Sequence, residues 1–207
     1  YKMGYASGTA GLKIQIAPAA NGAAWAADNG FKVSPAHMDR GDGSGERDVV
    51  YVGRYISASG YKSKTGAAPK GSITRATARS GIHALGSKIW QLDFATLTTI
   101  WLLYLVEFAN WNSQEKLGGG IQAASIQNTG YTDTIPYHTG TTATSISESA
   151  HGGVQYRWME GLVDNVFQFI DGIYYNGTNV YGILNPANFS DSSGGTLSGT
   201  RTASNGN

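Results

Sequence analysis

Residues 93–107 read DFATLTTIWLLYLVE, and the fold turns on how this stretch is taken. Between Asp93 and Glu107 lie 13 residues without a charge. A helix needs about 20 predominantly apolar residues to cross a bilayer. The stretch therefore predicts a buried core helix, and no membrane insertion is expected. Asp93 is placed to cap its start, because its carboxylate can accept from the first unpaired backbone N–H groups. The helix is expected to end near Asn110, with Gly118-Gly119-Gly120 beyond it. Glu107 on the last turns of an apolar helix predicts a buried carboxylate in need of a partner, with Arg75, Arg79 and Arg157 as candidates.

Upstream, residues 74–85 predict a second helix. Ala78, Ile82 and Leu85 share one face at the 3.6-residue period. Thr74 can cap its start and Gly86 can close its end. Residues 12–16 and 49–56 (VVYVGRYI) predict strands, and Val154–Tyr156 begins another ordered block. Two apolar, aromatic runs, 166–175 and 180–184, flank Asn176-Gly177-Thr178-Asn179 and predict a hairpin. The second run stops at Asn185-Pro186, because proline cannot donate to a ladder.

The expected class is α+β: two helices packed on a small, mostly antiparallel sheet with long irregular loops. The 166–184 hairpin is expected at the centre of that sheet, with Phe167 and Phe169 in the core. Composition divides the chain into a Gly/Ala-rich extension at 1–34, a domain at 35–190 and a Gly/Ser/Thr tail at 191–207. In the tail only Leu197 and Ala203 are apolar, so a loop or linker is expected there. Residues 117–151 show little periodicity, and long stretches of that kind are usually functional or mobile.

The composition narrows the chemistry. Of 207 residues, 41% are hydrophobic and 11% aromatic, so the chain has the apolar mass for a core. Charged residues make up 14%, against about 25% in soluble domains. The net charge of +1 offers no basic excess for a phosphate backbone, which argues against nucleic-acid binding. Cysteine is absent, which excludes disulfides, thiolate nucleophiles, Fe–S clusters and zinc ribbons. The 29 glycines, with abundant Ser, Thr and Asn, suit an extracellular or virion protein. The first residue is Tyr1 and no leader-like segment follows, as in a fragment or a processed product.

Catalytic motifs are sparse. No two of His37, His83, His138 and His151 have the i, i+4 spacing of a helical metal site. There is no G-x-S-x-G elbow, P-loop or G-x-G-x-x-G. Asp39, Asp42, Glu46 and Asp48 crowd one loop; they can hold calcium or form a solvated loop, in which Arg40 and Arg47 offset part of the charge. Arg40-Gly41-Asp42 spells an integrin-type tripeptide, which three letters alone do not support. No cofactor, metal or catalytic residue is expected.

Several blocks resemble a family when taken in order. They are Ile73-Thr74-Arg75-Ala76 with Ala78-Arg79, Trp90-Gln91-Leu92, then Leu102-Leu103-Tyr104-Leu105-Val106-Glu107 and Asn112-Ser113-Gln114. After these come His138-Thr139-Gly140, Val154-Gln155-Tyr156-Arg157, and Gly161 through Asn165-Val166-Phe167-Gln168-Phe169-Ile170-Asp171-Gly172. Over residues 35–190 the order resembles the C-type-lectin-fold domains of phage and prophage tail proteins. These belong to the formylglycine-generating-enzyme-type branch, shared with the variable proteins of diversity-generating retroelements. The branch signature is similar to L-x-G-N-V-W-E-W. Here it reads Leu162-Val163-Asp164-Asn165-Val166-Phe167-Gln168-Phe169, with Asp164 for Gly, Phe167 and Phe169 for Trp, and Gln168 for Glu. Family members continue past a Gly/Ser-rich stretch into further strands, so an incomplete binding face is expected.

The resemblance implies a phage tail-fibre or tip protein in the virion that recognises a bacterial surface glycan or protein receptor. Its partners would be that receptor and other virion proteins, and its working state a homo-oligomer, a trimer. The alternative is a structural virion component, a tail or capsid decoration protein without receptor binding. A formylglycine-type oxidase is disfavoured, because such an oxidase binds copper through two cysteines. Ligand contacts are expected from Tyr174, Tyr175, Asn179, Tyr181 and Asn185, with the 131–145 loop beside them. Tyr offers a flat face and a hydroxyl to a sugar, and Asn offers a donor and an acceptor. The competing reading places these tyrosines in a sheet core or a subunit contact.

Overall fold

A computed structural model describes residues 2–8, 11–18, 20–41, 43–122, 125–176, 178–192 and 199–202. The helices are α1 (Ala23–Asp28), α2 (Arg75–His83), α3 (Phe94–Phe108) and α4 (Ser113–Leu117). The strands are β1 (Lys2–Gly8), β2 (Gly11–Ala17), β3 (Lys32–Val33), β4 (Gly140–Thr141), β5 (Val154–Tyr156), β6 (Met159–Glu160), β7 (Ile173–Tyr175), β8 (Asn179–Gly182) and β9 (Gly199–Thr202). The architecture is thus mixed helix and small antiparallel sheets, compatible with α+β.

Two compact units interleave in sequence. The first takes Tyr1–Tyr51, Trp90–Glu107 and Ile170–Asn207; the second takes Val52–Ile89 and Phe108–Phe169. These limits differ from the compositional ones at residues 34 and 190.

In the first unit, α3 starts where expected. Asp93 caps it, its Oδ1 accepting from the Thr96 N–H at 2.9 Å. The entry is tied to Asp171: the Phe94 N–H donates to the Asp171 carbonyl at 2.8 Å, and the Asp171 N–H to the Leu92 carbonyl at 3.0 Å. Arg40 is buried against this cap, with Nη1 2.9 Å from Asp93 Oδ2 and Nε 2.7 Å from the Leu184 carbonyl. A buried guanidinium cannot be displayed as part of an integrin-type tripeptide. One side of α3 buries Ala95, Ile100, Leu102 and Tyr104, while Phe94, Trp101 and Val106 stay exposed. Glu107 is also exposed, which removes the burial on which its expected ion pair rested.

The sheet differs from the expectation. Instead of one sheet, the described residues form three antiparallel ones, ordered β2-β1-β3, β4-β5-β6 and β7-β8-β9. The hairpin forms, with Tyr174 opposite Tyr181, but β7 starts only at Ile173. Phe167 is fully exposed at 108% and Phe169 is 47% exposed, so neither fills a core. Asp171 instead bridges to Asp93, and Gly172 turns at φ 72°; together they take the chain before Ile173 out of the ladder. The tail, expected to be loop, supplies β9, which pairs along β8. Residues 49–56 do not form a strand. Val49, Tyr51 and Val52 are exposed, and the chain passes there from the first unit to the second.

In the second unit, α2 is capped by Thr74, whose hydroxyl accepts from the Thr77 N–H at 3.1 Å. It ends at His83, so Ala78 is buried while Leu85 lies exposed beyond the last turn. The Tyr61 ring lies so close to Gly81 that a Cβ there would meet it at 2.2 Å. The ordered block expected to begin at Val154 opens with β5, which is wholly buried. The run Gly118-Gly119-Gly120 is buried after α4. A Cβ on Gly119 would meet the Ala150 carbonyl at 2.3 Å, so only glycine fits. Among the described residues, no helix is long and apolar enough to cross a membrane.

Candidate functional site

The residues expected to bind lie in the first unit, and the structure brings four of the five onto one hairpin. Tyr174 and Tyr181 stand opposite one another and stack, with centroids 5.9 Å apart and planes at 24°. Asn176 Nδ2 donates to the Tyr181 hydroxyl at 3.0 Å, and its Oδ1 accepts from the N–H groups of Thr178 and Asn179 at 3.0 and 2.8 Å. Tyr175, next along β7, points to the other face of the strand and is 54% exposed. Asn185 is committed elsewhere: its Oδ1 accepts from the Ala187 N–H at 3.0 Å and its Nδ2 donates to the Gly41 carbonyl at 2.8 Å. The pair Tyr174–Tyr181 thus satisfies much of its own ring surface. The 131–145 loop belongs to the second unit.

That second unit holds a cluster the sequence reading missed. Its frame is a pair of buried carboxylates. Glu160 accepts from the N–H groups of Gly130 and Thr132 at 2.8 and 2.9 Å, and from the Thr132 hydroxyl at 2.6 Å. Asp164 accepts from the Tyr131 hydroxyl at 2.7 Å and from the N–H groups of Val154 and Ile121 at 3.2 and 3.3 Å. Burial pushes the Asp164 carboxyl above its ordinary pKa against the pull of these bonds. Burial also raises Tyr131, with the Asp164 charge adding to it, so its phenol keeps its proton. Together the two carboxylates fasten Ile121 and residues 130–132 to β5 and β6.

On this frame sits a tight turn. Tyr156 pairs with Met159, so Arg157 and Trp158 alone connect β5 to β6. Both have positive φ, 49° and 66°. Two-residue hairpins with positive φ at both positions favour Asn-Gly, because larger L side chains crowd the backbone there. Strain of this kind concentrates at functional sites. The turn is held by the Trp158 N–H, 2.7 Å from the His138 carbonyl, and the Arg157 N–H, 3.1 Å from Thr139 Oγ1.

Arg54 is fixed beside the turn. Its guanidinium carbon lies 5.0 Å from the Tyr55 ring centroid and 5.2 Å from that of Trp158. Nη2 donates to Asp133 Oδ1 at 2.8 Å. The Tyr55 hydroxyl donates to the same oxygen at 2.6 Å and the Thr65 hydroxyl to Oδ2 at 2.6 Å. The Thr65 and Tyr55 hydroxyls hold Asp133 below the usual carboxylate range, and the Arg54 charge works in the same direction. Partial burial and the Asp133 bond push Tyr55 up. Trp158 remains 46% exposed, and Tyr137 beside the turn is more open still. The arrangement offers aromatic faces and fixed N–H donors, the means of non-covalent recognition.

Among the described residues, no three His, Asp or Glu side chains are placed together to hold a metal ion. In the 39–48 loop, Asp39 accepts from the N–H groups of Gly41 and Gly45, and Glu46 from that of Ala23 at 3.1 Å. Asp42 lies outside the described residues. His37 is buried with Nδ1 2.9 Å from the Arg47 carbonyl. No family model matches the chain, and no curated protein or solved structure shows significant similarity to it.

Proposed function

We propose that the chain is a recognition module of a phage tail, fibre or tip, exposed on the virion, that binds a bacterial surface receptor. In this reading the fold is C-type-lectin-like, of the formylglycine-generating-enzyme-type branch, and the working state is a trimer. Support for the family comes from the ordered sequence blocks and from α2 and α3, which form where those blocks place helices. One observation carries the binding role: the Arg157-Trp158 turn presents an exposed indole over a pinned guanidinium, at a backbone strain that an Asn-Gly turn would avoid. Binding through such contacts is individually weak and suits several copies acting together on one particle.

Adsorption of the purified chain to a panel of bacterial strains tests the reading. Binding to some strains and its loss in Trp158→Ala with an unchanged melting temperature is the expected result; equal adsorption of both proteins removes the site. A second reading, a structural virion component without receptor binding, draws on exposed Phe167, Val163 and Ile126 in the second unit, which suit contact with neighbouring subunits. Assembly that persists in Trp158→Ala and fails in Phe167→Ser, with no adsorption by either protein, would favour it.

A further inference from the structure

We propose that Gly130 is a positioning residue for the recognition turn: its missing side chain lets Thr65 close on Asp133, and the carboxylate fixed in this way holds Arg54 against Trp158. The inference rests on the recognition reading above and names what orients that site.

The Arg54–Asp133 pair is registered through its backbone. The Glu160 N–H donates to the Arg54 carbonyl at 2.7 Å, while the Glu160 carboxylate accepts from the Gly130 N–H at 2.8 Å. Gly130 opens the turn that ends at Asp133, whose N–H donates back to the Gly130 carbonyl at 3.0 Å. One buried residue thus ties both partners of the ion pair to a single point. Thr129 brings in the third member. Its hydroxyl donates to the Lys64 carbonyl at 2.6 Å, and its carbonyl accepts from the Gly66 N–H at 2.7 Å, so Thr65 between them is carried to the same place. There the Thr65 hydroxyl donates to Asp133 Oδ2 at 2.6 Å, and Oδ1 takes the bonds from Arg54 and Tyr55.

Gly130 lies against this contact. A Cβ there would overlap the Thr65 hydroxyl oxygen and stand 2.8 Å from Asp133 Oδ2, so any larger residue must part Thr65 from Asp133. The backbone also favours glycine, at φ 92°, but that demand alone does not single out the position. Gly66, in the loop that Thr129 holds, has φ 68° and open space where a Cβ would go. The two glycines therefore separate backbone conformation from close approach. A binding group keeps its geometry only when the residues behind it are packed to hold it. Behind Arg54 that support is Asp133, and the Thr65 hydroxyl admitted by Gly130 is foremost among the causes that keep Asp133 below the usual carboxylate range.

The test uses the intact chain and reads the site first without a ligand. In Gly130→Ala, the indole N–H resonance of Trp158 and the Nε–H resonance of Arg54 are expected to shift, and the Asp133 carboxyl to rise toward its ordinary pKa. Adsorption to the strains that bind the native chain should fall about tenfold. Gly66→Ala, with the left-handed backbone and no close neighbour, should leave all four readings native. Thr65→Ala added to Gly130→Ala removes the overlapped oxygen and should return the indole resonance toward its native position. Identical readings from Gly130→Ala and Gly66→Ala overturn the inference and make Gly130 a turn glycine alone. Should Gly130→Ala not fold, Thr65→Val removes the hydroxyl at nearly constant shape. Shifted Arg54 and Trp158 resonances with weakened adsorption then uphold the inference, and native resonances overturn it. Resonances that shift while adsorption holds, where Trp158→Ala no longer adsorbs, overturn the positioning role and leave recognition standing. Undiminished adsorption of Trp158→Ala removes the recognition reading, and the inference with it.

Discussion

Two hairpins in this chain carry aromatic side chains, and they solve the turn in opposite ways. The β7–β8 hairpin uses residues with turn chemistry: Asn176 accepts from two N–H groups across the loop and donates to Tyr181. Its tyrosines then stack on each other. The β5–β6 hairpin places Arg157 and Trp158 where Asn-Gly would be relaxed, and anchors the strand after the turn through the buried Glu160. The first is stabilised within itself. The second is strained at the tip and held from beneath, which leaves its indole facing outward. A turn that resolves its own strain has little to offer a ligand, whereas one fixed by neighbouring elements can present a side chain in an unfavourable backbone.

The comparison breaks first at Glu160. Glu160→Ala leaves the N–H groups of Gly130 and Thr132 and the Thr132 hydroxyl without their acceptor. Each charge-assisted bond contributes about 1.5–3 kcal/mol, so a loss of about 3 kcal/mol or more is expected in urea denaturation. A loss under about 1 kcal/mol would mean that the turn does not depend on this anchor.

Replacing the strained turn with a relaxed one sharpens the contrast. Arg157→Asn with Trp158→Gly suits the positive φ values and removes strain of about 1–3 kcal/mol per residue at most. Against that stands the lost contact with Arg54, about 0.5–1 kcal/mol at an exposed site. A net gain of about 1 kcal/mol in stability is expected, together with loss of ligand binding. A lower melting temperature would show that the native turn carries no strain worth relieving. At the other hairpin, Asn176→Ala should cost about 1 kcal/mol, the usual worth of a lost hydrogen-bonded turn. No change there would show that Tyr174 and Tyr181 hold that turn unaided.

The sequence made the locally determined features readable. The caps at Asp93 and Thr74 act within a few residues of themselves, and both are found. The Asn-Gly signal located the β7–β8 turn, though not the start of its first strand. Phe167 and Phe169 read as core because apolarity is all the sequence displays; the bridge from Asp171 to Asp93 that removes them from the ladder joins segments far apart in the chain. Glu160 and Asp164 were illegible for the same reason, most of their partners, Ile121 and residues 130–132, lying far back in the chain. Asp164 registered only as a departure from glycine in the family signature, and it proves to fasten three elements. The Arg157-Trp158 turn carries no turn residues, and only the pairing of Tyr156 with Met159 reveals it.

The smallest effect is expected from pH, and the two carboxylates of the second unit should respond with opposite sign. Asp133 has a lowered pKa through the Thr65 and Tyr55 hydroxyls, so its contribution is present above the unfolded value of about 3.9 and is lost as pH falls through the lower folded value. Asp164 has a raised pKa through burial, so its contribution is largest below about 3.9 and is lost as pH rises through the higher folded value. Asp133 is part-exposed, which limits its share to about 1 kcal/mol or less. Melting temperatures of the native chain and of Asp133→Asn, compared across acid pH, isolate that share. The native chain should be ahead by a constant margin above about pH 5, with the margin closing below about pH 4. Ligand binding at the Arg54 cluster should weaken over the same acid range, because Asp133 then loses its hold on the guanidinium. A margin that stays constant down to about pH 2.5 would show that Asp133 pins Arg54 by shape alone, leaving the strained turn, rather than the carboxylate beneath it, as the feature that orients the site.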